Sequence, residues 1–136
     1  MPDADSTAAI QGVMARYIDL FNASDFATAL EEGYRLPFSW LVGPAIDTVA
    51  TPEEFVARMS GMRANLGAQG LERSELVSCT VRMLGDNAGL AGVEVARHYK
   101  DGRPPEVTGG TYVAHNDGSG WRLTSLIGHP VADIVS

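Results

Sequence analysis

The densest group of reactive side chains is Glu94, Arg97 and His98, all within one stretch of alternating apolar character. If residues 88–99 form a strand, Glu94 and His98 share one face and Arg97 projects from the other. Glu94 with His98 has the makings of a base and its orienting partner, and Arg97 can take a carboxylate bidentately. The plainer reading is charge pairing across an exposed or subunit-facing sheet surface. Orientation decides between them: if Val93, Val95 and Arg97 point inward, Glu94 and His98 lie outside and only Arg97 can serve a ligand.

Other reactive residue types carry less. His98, His115 and His129 lack metal-ligand spacing, and none has a helical carboxylate three or four residues away, so neither a metal nor another cofactor is expected. His115 precedes a turn and is expected in solvent; His129 is expected beyond the last strand. Cys79 sits in an apolar alternation and reads as a small buried hydrophobe. Gly109-Gly110 and Gly118-Ser119-Gly120 are followed by no helix start, so they form no phosphate loop. Phe38, Trp40, Met59, Met62 and Met83, with Met14, Tyr17, Val95 and Tyr112, are candidates to line an apolar pocket, although the same residues also make an ordinary core.

The elements that must position these groups are legible in the spacing. Ile10, Val13, Met14, Tyr17, Ile18 and Phe21 recur every three or four residues, the stripe of an amphipathic helix. Ser6 or Thr7 is expected to cap it, leaving residues 1–6 as a loose tail. Asn22-Ala23-Ser24-Asp25 ends it, and Ser24 or Asp25 caps a short second helix carrying Phe26, Ala29 and Leu30, with Gly33 at its stop. Residues 34–42 read as a strand, and Pro37 suits an edge or a strand start. A second short strand follows over 46–50. Thr51-Pro52-Glu53-Glu54 spells a capping box with proline at the first helical position, and Phe55, Met59, Met62 and Leu66 form that third helix's apolar stripe. From residue 72 the period changes to two: Val77, Cys79, Val81 and Met83 are expected on one face. Three turns then separate four strands, the last two joined through Asn116-Asp117-Gly118-Ser119-Gly120.

The 136 residues suit one domain, 1–136, with a real core. The net charge of −7 and only ten scattered Lys and Arg argue against nucleic acid and anionic membrane surfaces as partners. No apolar run approaches a membrane span. The acidic start is unlike a secretory signal, and a single cysteine cannot form an internal disulfide, so a cytoplasmic location is expected.

Helices first, then a meander of strands, makes an α+β domain. With Ala15-Arg16-Tyr17, Asn22-Ala23-Ser24-Asp25, Thr51-Pro52-Glu53-Glu54-Phe55, Tyr99-Lys100-Asp101-Gly102-Arg103, Gly110-Thr111-Tyr112-Val113 and Gly120-Trp121-Arg122-Leu123 in this order, the chain resembles the nuclear-transport-factor-2-like superfamily over about residues 8–128. That superfamily is also called SnoaL-like or ketosteroid-isomerase-like, with a cystatin-like fold. The resemblance implies a cone-shaped, curled, antiparallel or mixed sheet packed on three helices, a pocket between them, and a homodimer paired through the sheet's outer face. It implies for Tyr17 the role of oxyanion donor, which a buried phenol can fill without losing its proton. The related isomerases also need a carboxylate in the first strand and another in the penultimate one. Here those segments read Phe38-Ser39-Trp40-Leu41-Val42 and Gly109-Gly110-Thr111-Tyr112, without a carboxylate.

Two functions are therefore expected. One is a cone cavity for a small hydrophobic metabolite, serving an isomerase, lyase or cyclase type of enzyme that lacks the usual base, with Tyr17 and Arg97 or His98 as its polar groups. The other is a non-catalytic dimeric module whose cavity is filled by its own side chains.

Overall fold

The computed structural model describes residues 2–135. Three helices, α1 (Pro2–Asn22), α2 (Phe26–Gly33) and α3 (Pro52–Ala68), pack against one sheet of six strands. The strands are β1 (Tyr34–Val42), β2 (Ala45–Val49), β3 (Leu71–Met83), β4 (Ala88–Tyr99), β5 (Glu106–Asn116) and β6 (Trp121–His129). Their spatial order is β2-β1-β6-β5-β4-β3. All neighbours run antiparallel except β1 and β6, which are parallel, so the sheet is mixed.

The first helix starts earlier than its cap residues suggest. It runs from Pro2, so Ser6 and Thr7 lie inside it and residues 2–6 are not a loose tail. The helix ends where Ser24 takes a left-handed backbone (φ 57°), and the Asp25 side chain caps α2 by accepting from the Thr28 amide. The α3 capping box forms fully between Thr51 and Glu54. Asn22 fastens the end of α1 to the sheet: its Nδ2 donates to the Ser74 carbonyl at 2.9 Å, and the Ser74 amide donates to its Oδ1 at 2.7 Å.

Three strand expectations are corrected. β1 is no edge, since β2 and β6 flank it; Pro37 is accommodated because the β1–β6 pairing breaks between Tyr34 and Ser39. Val77 is 49% exposed rather than inward, because the β3–β4 register shifts between Leu76 and Ser78. His129 is the last residue of β6 rather than a residue beyond it.

The core fills the concave side. Ile10 and Met14 of α1, Phe26 of α2, Phe55 and Met59 of α3, and Phe38 and Leu123 of the sheet are each at most 2% exposed. A short turn at Val131–Asp133 then folds the C-terminal residues back across the opposite face of β5. No described helix is long and apolar enough to cross a membrane.

Candidate functional site

Strand register determines which side chains meet in the cone. Four rungs on the concave face follow from the pairings. They are Ser74–Arg97–Glu106, then Leu76–Val95–Thr108, then Val93–Gly110–Gly128–Val42, and finally Ala91–Tyr112–Leu126–Trp40. Between this face and helices α1 and α3 lies a cavity of about 420 Å³. That lies within the size range of small-molecule sites. Gly110 and Gly128 stand opposite each other in its floor, where a Cβ on Gly110 would come within 2.9 Å of Leu126 Cδ1. The walls are mainly apolar: Ile18, Phe21, Met62, Val93, Val95 and Leu126 among others.

Two neighbouring phenols lie in the cavity wall. Tyr17 comes from α1 and Tyr112 from β5, and Tyr34 of β1 packs behind them. The ring centroids are 5.2 Å apart for Tyr17 and Tyr34, 6.4 Å for Tyr17 and Tyr112, and 6.5 Å for Tyr34 and Tyr112. Burial pushes the Tyr17 and Tyr34 hydroxyls well above the usual phenol range. It raises Tyr112 as well, but contact with the Tyr34 and Tyr17 hydroxyls draws that one back. All three therefore stay protonated at neutral pH.

Arg97 supplies the cavity's positive charge. Its Nη1 donates to Glu106 Oε1 at 3.2 Å, and the Tyr99 hydroxyl donates to the same oxygen at 3.1 Å. The Arg103 guanidinium lies 3.8 Å from the centre of the Tyr99 ring. Hydrogen bonds from Arg97 and then Tyr99 hold the Glu106 carboxyl below the usual carboxylate range.

The structure thus sorts the sequence candidates. Tyr17, Trp40, Met62, Val95, Arg97 and Tyr112 line the cavity. Met14, Phe38 and Met59 are not in its wall but are closed into the core, each at most 1% exposed. Glu94 and His98 lie on the outer face, where His98 Nε2 is 2.8 Å from Glu75 Oε1. His98 therefore does not share the cavity with Tyr17 and Arg97. His115 is half-buried rather than free in solvent, and its Nδ1 accepts from Arg35 Nη1 at 2.9 Å. Burial pushes the Cys79 thiol up to about 11, which keeps it an unreactive thiol.

Ser74, Thr108 and His129 border the cavity without having been singled out for it. Ser74 escapes an alternation counted from Val77 because the bulge at Leu76–Ser78 reverses the parity upstream. The His129 ring turns to the outer face, where Nε2 is 2.6 Å from Thr111 Oγ1 and Nδ1 is 2.8 Å from the Pro130 carbonyl. Among the described residues no Asp or Glu lines the cavity, and no three His, Cys, Asp or Glu side chains gather as a metal site would require. A smaller cavity of about 200 Å³ lies between α1 and α2, and Tyr17 lines it too.

A family profile described as an NTF2-like protein (DUF6841) matches residues 5–131. No curated protein matches the chain in sequence. Several solved structures share the fold at low identity. A domain of unknown function with a cystatin-like fold from Nostoc punctiforme aligns with a TM-score of 0.71 at 14% identity, over 91% of this chain and 76% of that one. An NTF2-like protein with a cystatin-like fold from Novosphingobium aromaticivorans gives a TM-score of 0.70 at 22% identity, over 92% and 81%. A protein provisionally assigned as a ketosteroid isomerase from Shewanella frigidimarina gives 0.69 at 13% identity, over 89% and 94%.

Proposed function

The chain belongs to the NTF2-like family, and from that premise we propose that its cone cavity binds a small apolar metabolite by one carbonyl or hydroxyl oxygen. The observation that carries this reading is the pair of buried, protonated phenols, Tyr17 and Tyr112, side by side in the wall of an apolar cavity of about 420 Å³. Apolar walls drive the ligand out of water, and the two donors fix its oxygen. A phenol held in a dry site also stabilises negative charge developing on that oxygen, which is the electrostatic part of an isomerase, lyase or cyclase. Among the described residues no carboxylate lines the cavity to remove a proton, so turnover depends on chemistry in which the phenols stabilise and the ligand or water carries the proton. The lack of a lining carboxylate among the described residues favours a separate reading, a binding module without turnover. An open cavity counts against one that is self-filled. We further propose that the chain pairs with a second copy through the outer sheet face.

One ligand tests both readings of the cavity. 2-Acetylnaphthalene is apolar and bears one carbonyl. Calorimetry is expected to show binding that Tyr17→Phe and Tyr112→Phe each weaken roughly five- to tenfold, the worth of one hydrogen bond. Absence of binding, or affinity untouched in both variants, would refute the proposal. Proton nuclear magnetic resonance in heavy water separates the two readings: accelerated exchange of the methyl protons marks enolisation, and binding without exchange marks a module.

A further inference from the structure

We infer that Arg97 makes the cavity selective for an apolar acid, with the ligand's carboxylate seated at the Ser74–Arg97 end and its apolar body against Val93, Val95 and Leu126. This rests on the cavity reading above and adds the ligand's charge to it.

Guanidinium carries five N–H donors. Among the described residues Arg97 uses only Nη1, toward Glu106, so its Nε–Nη2 edge has no protein partner. That edge belongs to a residue lining the cavity, on the strand face shared with Val93 and Val95. Its neighbours there are hydroxyls. Ser74 is its register partner and is 95% buried (5% exposed), and Thr108 lies one rung away. Neither hydroxyl bonds to another described residue. The corner therefore offers a planar two-donor edge and two hydroxyls in a cavity that no described carboxylate lines. Arginine with an open edge matches a carboxylate's two oxygens, and a neutral carbonyl uses only half of that match.

Glu106 does not occupy this position. It bonds the other side of the guanidinium, is half-exposed, and is already compensated by Arg97 and the Tyr99 hydroxyl. It engages Nη1 alone and leaves the Nε–Nη2 edge without a described partner. The Asn22 clamp on the Ser74 backbone fixes the other side of the same corner. At the far end of the ligand, Tyr17 and Tyr112 remain available for a second oxygen.

The test compares 2-naphthoate with 2-acetylnaphthalene, which share a ring system and differ in charge. Naphthoate is expected to bind at least about tenfold tighter, in keeping with a charge-assisted pair. Arg97→Met should bring the affinity ratio close to one, and Arg97→Lys, with the charge but not the fork, should leave an intermediate ratio. Circular dichroism melts establish that both variants fold, and the lysine variant decides the matter if the methionine variant does not. Equal affinities in the wild type, or a preference that survives both substitutions, would overturn the inference. Binding of the ketone alone would overturn it and leave the cavity reading standing. Binding of neither would overturn both.

Discussion

At the scale of single residues, the three clustered tyrosines tie the site to stability. Tyr17 and Tyr34 are held well above the ordinary phenol value of 10.0, chiefly by burial, and Tyr112 is raised too. A raised folded value means the native state keeps its proton after the unfolded chain has lost it. The stabilisation is present in full below about pH 10 and is lost as pH rises through the folded values. Alkaline unfolding and tyrosinate absorbance should therefore appear together, with Tyr112→Phe removing the earliest ionisation of the three. Titration of all the tyrosines at the ordinary value in an intact fold would contradict this. Tyr17 was legible in the sequence as one position of a helical stripe. Its partnership with Tyr34 and Tyr112 was not, because the α2–β1 junction and the β5 register create it across long sequence separations. Arg97 was legible as far as its face, since alternation assigns it opposite to Glu94 and His98. Its companion Ser74 was hidden by one bulged residue.

At the scale of elements, glycine does two opposite jobs. Gly109 of β5 lies under the returning C-terminal segment, where an added Cβ would meet the His129 carbonyl oxygen and the Val131 backbone at 2.9 Å. These are backbone atoms that cannot swing aside, so Gly109→Ala should cost about 1–3 kcal/mol and loosen the segment after Pro130. Gly61 is exposed within α3, and its Cβ would meet nothing within 4 Å. Gly61→Ala should therefore gain roughly 0.5–1 kcal/mol, the entropy that glycine costs inside a helix. Urea denaturation of the two variants checks both signs at once; a neutral Gly109→Ala would show that the segment does not press on β5. The α3 start could be read from Thr51-Pro52-Glu53-Glu54 because a capping box is local chemistry. The bulges in β1 and β3 could not, because a bulge is settled between two strands and leaves no mark in either alone.

At the scale of the molecule, the face opposite the cavity divides in two. The C-terminal segment covers part of it, with Ile134 and Val135 against Gly92 and Val131 against Gly109. The other part presents the rung Ile46–Leu41–Ile127, in which Ile46 is 72% and Ile127 40% exposed. An apolar strip this open costs free energy in water, and a second copy offers the same strip about a two-fold axis. The net charge of −7 opposes that pairing, and salt screens the repulsion while leaving apolar burial intact. Sedimentation equilibrium should thus show a dimer that strengthens from low to high salt, and Ile46→Lys with Ile127→Lys should return it to monomer. Both side chains point away from the cavity, so binding of 2-acetylnaphthalene should persist in the double variant. A wild-type monomer at high salt would refute the pairing, as would a dimer indifferent to both substitutions. Loss of probe binding on dissociation would instead mean that the pair shapes the cone, joining the two faces of the sheet in one function.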